Sequence, residues 1–540
     1  MGDATQTPMK LPRSSTYTLT SEVAPPFLVN RLVLLPALLA VAISSPLTGQ
    51  LEGNRRGTVT DSTATAPDSQ RTIRTDAWGV RRNGAVALAE LVGINALVWA
   101  YNEYPRGADF TDISPDTYAS NITQGFTWDD NNFANNMFSH PFHGNLYYNA
   151  ARSNGFNYWA SVPFAFLGSF LWECCGETHP AALNDWVATS MGGSAIGEAL
   201  YRMSSSVLDN TSTGLERFGR EVGATALNPV RGFNRIVSGR VSEVGENPDH
   251  VLDRWPTQLL NTLYVGYRRL ANDPPSNVPS SFGRGAAEAQ QNETGFVEID
   301  FEYGSPFGER RKPFDHFTFN LVLNTRDKGL IGALAIRGHL WSTDLVHDDN
   351  QRLIAGFAHN YDFIDNNAVE FGGQSVSAFL LTRIPVDDRF ALQLELGGDV
   401  YPMAAVNSEF AFLAEVPDTS RLREYDMGYG LGGRSGLRVL LNGRTFIDGT
   451  FDLVYSRALN GSVGTLPEIG PIDASHVIQA FTLAVRVPVI QHFGVGVDLE
   501  YYRRESNFAN PALTTLIQVA RQMRVYLTWE VGRGFQGVQP

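Results

Sequence analysis

From about residue 255 onward, apolar side chains occupy every second position in runs of ten or more residues. Phe481, Leu483, Val485, Val487 and Val489 alternate with Thr482, Ala484, Arg486 and Pro488. Phe493, Val495, Val497, Leu499 and Tyr501 repeat the pattern, as do Met523, Val525, Leu527, Trp529 and Val531. Phe317, Phe319, Leu321 and Leu323 form another run, and Leu392, Leu394 and Leu396 a further one. Successive residues of a strand point to opposite faces, so each run has one apolar face and one face of charge and glycine. A soluble β-sandwich has the same alternation, but its strands average nearer 5–6 residues. Strands this long, apolar on one side, fit a transmembrane β-barrel with lipid outside and a polar lumen. Residues 250–540 are read as such an outer-membrane barrel, antiparallel, of about twelve strands.

The connections fit that reading. Asn442-Gly443 is a two-residue hairpin turn, and 385–388 and 488–492 are short. Long stretches at 269–294, 401–425, 459–473 and 506–516 alternate with them, while those near 325 and 364 are shorter than the scheme requires. Phe535 is read as the aromatic end of the last strand. The charges Glu395, Asp448, Asp452, Arg486, Asp498, Glu500 and Arg524 fall on the lumen face, as pore lining or as ion pairs filling the interior. Composition agrees: charged residues are 18%, below the roughly 25% of a soluble domain, with 51 glycines. A net charge of −14 without a basic block argues against a nucleic-acid partner. Two cysteines exclude a disulfide framework and a cysteine-rich metal cluster. Adjacent Cys174 and Cys175 read as two small buried apolar side chains.

Ahead of the barrel the period changes. Arg31 precedes an apolar run from Leu32 to Ile43 that is too short to span a bilayer, so 1–49 read as a signal peptide and leader. The mature chain is expected to begin between Ala42 and Gln50, with a flexible linker over 50–78. Residues 79–245 form a helical domain. Helical runs cover Gly84–Tyr104, Tyr158–Glu177 and Pro180–Leu208, and a polar loop covers Asp109–Asn136. Gly193 and Gly197 allow close helix approach.

This helical part carries a dense motif. His140-Pro141-Phe142-His143-Gly144-Asn145-Leu146-Tyr147-Tyr148-Asn149-Ala150-Ala151-Arg152 is followed by Ser169, Trp172, Glu173 and Glu177, then Asp185, then Gly192-Gly193 with Gly197-Glu198 and Arg202. Over about 80–240 it resembles a bacterial family, domain-of-unknown-function family 3943. The resemblance rests on H-P-x-x-G-x-x-Y-Y-x-x-A-R, S-x-x-W-E-x-x-x-E, a D, and G-G-x-x-x-G-E. It implies an envelope protein, often joined to a β-region, and no reaction.

The residues themselves leave two readings open. His140 and His143, with Glu173 or Asp185, have the chemistry of a metal site, but local spacing fixes no third ligand, so no metal and no cofactor are expected. His140, Glu173 and Asp185 are the candidate catalytic groups. Ser169 or Ser194 beside a histidine is a further nucleophile candidate, outside any G-x-S-x-G elbow. Against catalysis stands ion pairing inside an apolar bundle, with Arg152 and Arg202 as partners of the carboxylates and Tyr147 and Tyr148 hydroxyls joining them. On either reading His140, Arg152, Glu173, Asp185, Glu198 and Arg202 are expected to converge in one cluster. Asp129, Asp130, Asn131 and Asn132 read as an Asx-rich turn rather than a calcium loop.

The function expected first is a structural, assembly or transport role in the cell envelope, with the helical domain at or inside the periplasmic mouth of the barrel. The alternative is an outer-membrane enzyme modifying lipid or lipopolysaccharide. A third is polymer binding through Trp128 and Trp159. The expected partners are outer-membrane lipid and an envelope polymer or lipopolysaccharide, in a Gram-negative-type bacterium.

Overall fold

The computed structural model describes residue 78 and residues 80–533, apart from 130, 248–255, 257, 274–275, 277–289, 309–311, 326, 328, 349, 367–368, 409–424, 461–472 and 510–514. The signal segment, the linker and Phe535 lie outside the described residues. Among the described residues seven α-helices come first: α1 (Gly84–Tyr101), α2 (Pro115–Gln124), α3 (His140–Arg152), α4 (Tyr158–Cys175), α5 (Leu183–Val207), α6 (Gly214–Leu227) and α7 (Pro229–Val237). Twelve strands follow: β1 (Leu259–Asn272), β2 (Gln290–Tyr303), β3 (Phe317–Asn324), β4 (Ile331–His347), β5 (Arg352–Asp365), β6 (Glu370–Pro385), β7 (Phe390–Asn407), β8 (Tyr425–Leu441), β9 (Arg444–Asn460), β10 (Ala474–Ile490), β11 (Phe493–Phe508) and β12 (Thr515–Arg533).

The strands form one closed antiparallel barrel, in which β1 pairs with both β2 and β12. Closure gives every strand a neighbour on both sides. Asn442 and Gly443 make the β8–β9 turn with φ of 50° and 77°, the double positive φ of a type I′ hairpin. The polar face points inward. Arg524 pairs with Glu298 at 2.6 Å and also with Asp498; Arg434 pairs with Asp452 at 2.6 Å and Arg438 with Asp448 at 3.1 Å. His476 bridges Asp426 and Ser506 at 3.0 and 2.9 Å. Ala484 and Thr528 are packed into this lumen and buried, so their face is a filled interior.

The helices begin where local chemistry starts them. Asn83 and Asn157 accept backbone N–H bonds at the starts of α1 and α4. Ser114 and Thr117 form a reciprocal capping box with Pro115 at the first turn of α2. That box turns part of the expected loop 109–136 into a helix. The sulfurs of Cys174 and Cys175 are joined as a disulfide, against the expectation of two separate apolar side chains. Both sit at the C-terminal end of α4, adjacent in the chain with Cα atoms 3.8 Å apart.

The helical bundle sits on the outer wall of the barrel, not in its mouth. Leu527 and Val525 point outward and are 63% and 49% exposed. On β3 the outward Phe317, Phe319, Leu321 and Leu323 are all buried, and so are Ile336 on β4 and Tyr361 and Phe363 on β5. One continuous apolar cluster joins these wall residues to Phe133, Met137, Tyr148, Ile196 and Met203 of the helices. The apolar face of β3 therefore meets helices where the alternation alone assigned it to lipid. Specific bonds fix the dock. The Tyr361 hydroxyl donates to the Met137 carbonyl at 2.6 Å, and the Tyr425 hydroxyl to the Asn131 carbonyl at 2.7 Å. Tyr158 meets His359 at 2.7 Å, and its ring stacks on Phe314. The bundle reaches from the β2–β3 connection, where Arg202 binds Asp315 at 3.0 Å, to the ends of β7 and β8 beside their long connection.

The free surface of the bundle is inverted. Leu97, Leu215, Phe218, Phe233 and Val237 are exposed, Leu215 to 89%. Arg217, Arg220, Arg231 and Arg235 are buried on the inner face, Arg220 to 3% exposure. Among the described residues, Gly84–Arg106 is the one helical segment long and apolar enough to cross a membrane, and little of it is covered.

Candidate functional site

The motif residues gather into two polar clusters held by α3, α4 and α5. Gly144 on α3 faces Thr189 and Gly193 on α5 so closely that a Cβ on either glycine would overlap the other backbone. Gly193→Ala is expected to cost about 1–3 kcal/mol by overpacking, read as a fall in the urea midpoint of detergent-solubilised protein.

The first cluster lies at the beginning of α3. His140 stands at the α3 N-terminus, Glu173 in the last turn of α4 and Asp185 in the first turn of α5. One ligand atom from each falls within 4.8 Å of the others, and His140 Nε2 lies 3.8 Å from Asp185 Oδ2. Glu173 is 1% exposed and accepts the Ala182 backbone N–H at 2.8 Å. Asp185 accepts from the Asn184 side-chain amide at 2.7 Å, and Asn184 in turn accepts the Asp129 backbone N–H at 2.9 Å. Asp129 Oδ2 accepts the Asn131 N–H at 3.0 Å, a local Asx turn; Asp130 lies outside the described residues. The polar segment closes over the cluster through Thr127 N–H to the Ala181 carbonyl at 2.7 Å and Asn121 to the Glu177 carbonyl at 2.9 Å.

Burial dominates the electrostatics under this cap. Desolvation, with the charge of Asp129, pushes the Glu173 carboxyl up to about 8. Asp185 and Glu177 are pushed well above the usual carboxylate range, first by burial and then by neighbouring carboxylates. Burial also lowers His143 to about 4, helped by His140, and lowers His140 against the opposing pull of Asp129. His143 packs between the rings of Tyr147 and Trp172, with centroids 6.0 and 6.3 Å away. Tyr147 donates to Asn95 at 2.6 Å.

The second cluster lies at the other end of α3. Glu198 binds Arg152 and Arg202, each at 2.8 Å, and accepts from the Tyr148 hydroxyl at 2.6 Å. Arg152 and Arg231 stack on the Tyr201 ring at 3.9 and 3.7 Å. Every member is buried, and this cluster is an ion-pair network. His140 and Arg152 are separated by the length of one helix, about 18 Å at 1.5 Å per residue. The six expected residues therefore divide three and three: His140, Glu173 and Asp185 at one end, Arg152, Glu198 and Arg202 at the other. Neither serine is placed as a nucleophile. Ser169 Oγ points to the Asp185 carbonyl at 3.4 Å, and Ser194 Oγ donates to the Ser190 carbonyl at 2.7 Å. Asn184 belongs to the first site, through its bond to Asp185, and was not singled out in the sequence. The signal available was position: Asn184 adjoins Asp185.

A closed barrel with a helical bundle on its outer wall defines the class of fold. Residues 125–230 match the family model "Domain of unknown function (DUF3943)". No curated protein matches the chain. Among solved structures, the chain is similar to an outer membrane channel from Pseudomonas putida F1, at 10% identity over 50% of this chain and 95% of that one, TM-score 0.24. It is also similar to the NanC porin, at 7% identity over 49% and 100% with TM-score 0.23. The KdgM porin matches at 9% identity over 49% and 98%, TM-score 0.19.

Proposed function

We propose that the chain is an outer-membrane protein whose barrel anchors a helical bundle in the bilayer, and that the bundle works on membrane lipid. The observation that carries this is the inverted surface. Leu97, Leu215, Phe218 and Phe233 face outward while four arginines face inward, on a bundle fixed against the apolar wall of a barrel. In water such a surface is a large exposed apolar patch; in lipid it is the expected one. Short turns of outer-membrane barrels face the periplasm. On that orientation the His140–Glu173–Asp185 cluster, near the long-connection end and under a polar cap, lies toward the outer leaflet, at the depth of lipid headgroups. The lumen supports an anchoring role: ion pairs such as Arg524–Glu298 and Arg434–Asp452 line its wall.

The test is photo-crosslinking of full-length protein in vesicles containing a photoactivatable phospholipid. Crosslinked peptides are expected from α1, α6 and α7 as well as from β10–β12. Labelling confined to the strands, with α1 and α6 unlabelled, would overturn the proposal.

A further inference from the structure

We infer that His140, Glu173 and Asp185 bind one divalent transition-metal cation. Three separate elements bring one imidazole nitrogen and two carboxylate oxygens to within 4.8 Å of one another. Donors about 2.0–2.2 Å from one ion stand about 3.4 Å apart in a tetrahedron and about 4.2 Å apart on opposite sides. His140 Nε2 and Asp185 Oδ2, 3.8 Å apart, are within about 0.4 Å of tetrahedral spacing, and no pair has to close by more than about 1.4 Å.

Three further observations point to a cation. Two other buried carboxylates of the bundle meet arginine: Glu198 has Arg152 and Arg202, and Glu221 has Arg235 at 2.6 Å. Among the described residues, Glu173 and Asp185 have no Arg or Lys within ion-pair distance, although both are at least 97% buried. Two buried carboxylates without a counter-ion are costly, and a metal ion supplies the missing charge. Thr189 Oγ1, buried and without a hydrogen-bond partner, lies one helical turn after Asp185, on the same side of α5. The surroundings also orient the donors: the Ala182 N–H holds Glu173 and the Asn184 amide holds Asp185, the kind of outer support that metal ligands use.

The donor set selects the ion. An imidazole nitrogen favours Zn²⁺, Mn²⁺ or Fe²⁺ over Ca²⁺, which takes six to eight oxygens. Three protein donors leave at least one position open, the arrangement of a reactive rather than a structural ion. The inference stands apart from the lipid reading, since a cation can bind whether or not the bundle is in a bilayer.

The experiment uses full-length protein in detergent, stripped with chelator and dialysed against Zn²⁺ or Mn²⁺, with metal counted by mass spectrometry. About one ion per chain is expected. His140→Ala, Glu173→Gln and Asp185→Asn should each weaken uptake at least tenfold, while Glu216→Gln, on an exposed carboxylate, should leave it unchanged. The mobility of the unheated barrel on a gel checks that each variant assembles. A second measurement needs no variant: Zn²⁺ or Mn²⁺ should raise the thermal midpoint of the stripped wild-type protein. Wild-type protein that takes up neither ion stoichiometrically, or an assembled His140→Ala variant that keeps full uptake, would overturn the site.

Discussion

Replacing Glu198 with alanine is expected to lower the unfolding free energy by about 3–5 kcal/mol. The carboxylate is fully buried and holds Arg152 and Arg202 at 2.8 Å each. Removing it leaves two guanidinium groups in a dry interior, with Tyr148 also losing its acceptor. Arg152 keeps the Phe156 carbonyl, and Arg202 keeps Asp315 and the Pro313 carbonyl. These contacts keep the chain from collapsing outright but do not replace the shared charge. Glu198→Gln preserves one acceptor and should cost less. Urea titration in detergent micelles, followed by tryptophan fluorescence, gives the number. Glu173→Gln separates the two clusters by sign: in chelated protein it puts a neutral amide in place of a carboxyl whose ionised form burial disfavours and no Arg or Lys pairs with, so stability should hold or rise. A loss below about 1 kcal/mol for Glu198→Ala would mean that the arginines are not held by this carboxylate.

The barrel was legible because its pattern is local. A strand with lipid on one side and a lumen on the other must alternate, and Leu483, Val485, Leu499 and Leu527 do so without reference to distant residues. The strand number followed from turns such as Asn442-Gly443. The dock was not legible, because an apolar wall reads the same whether lipid or a helix covers it. Phe319 and Leu527 stand in identical patterns, yet one is 4% and the other 63% exposed. The inverted faces of α6 and α7 were hidden for the same reason: periodicity separates Phe218 from Arg217 but does not say which faces inward. His140, Glu173 and Asp185 were singled out by chemical type, and their convergence needed the packing of three helices. That they do not meet Arg152 and Glu198 was open to simple geometry, since His140 and Arg152 end the same rigid helix.

That difference between two walls gives the other large effect. Phe319→Ala is expected to cost about 3–5 kcal/mol, because the side chain is packed between β3 and the bundle and its loss leaves a cavity. Leu527→Ala should cost about 2 kcal/mol, the transfer of roughly three methylene equivalents with no cavity, since lipid chains flow into the space. Enlargement should then reverse the order of the sites. Leu527→Trp adds apolar surface facing lipid and should be neutral or stabilising. Leu321→Trp, at a site with 0% exposure, must push the bundle off the wall and should cost about 1–3 kcal/mol or more. Refolding into short-chain lipid vesicles at graded urea measures all four, and limited proteolysis of Leu321→Trp should cut the helical bundle while the barrel stays intact. Two tryptophan variants that behave alike, with the bundle equally protected in both, would place β3 against lipid and remove the bundle from the wall.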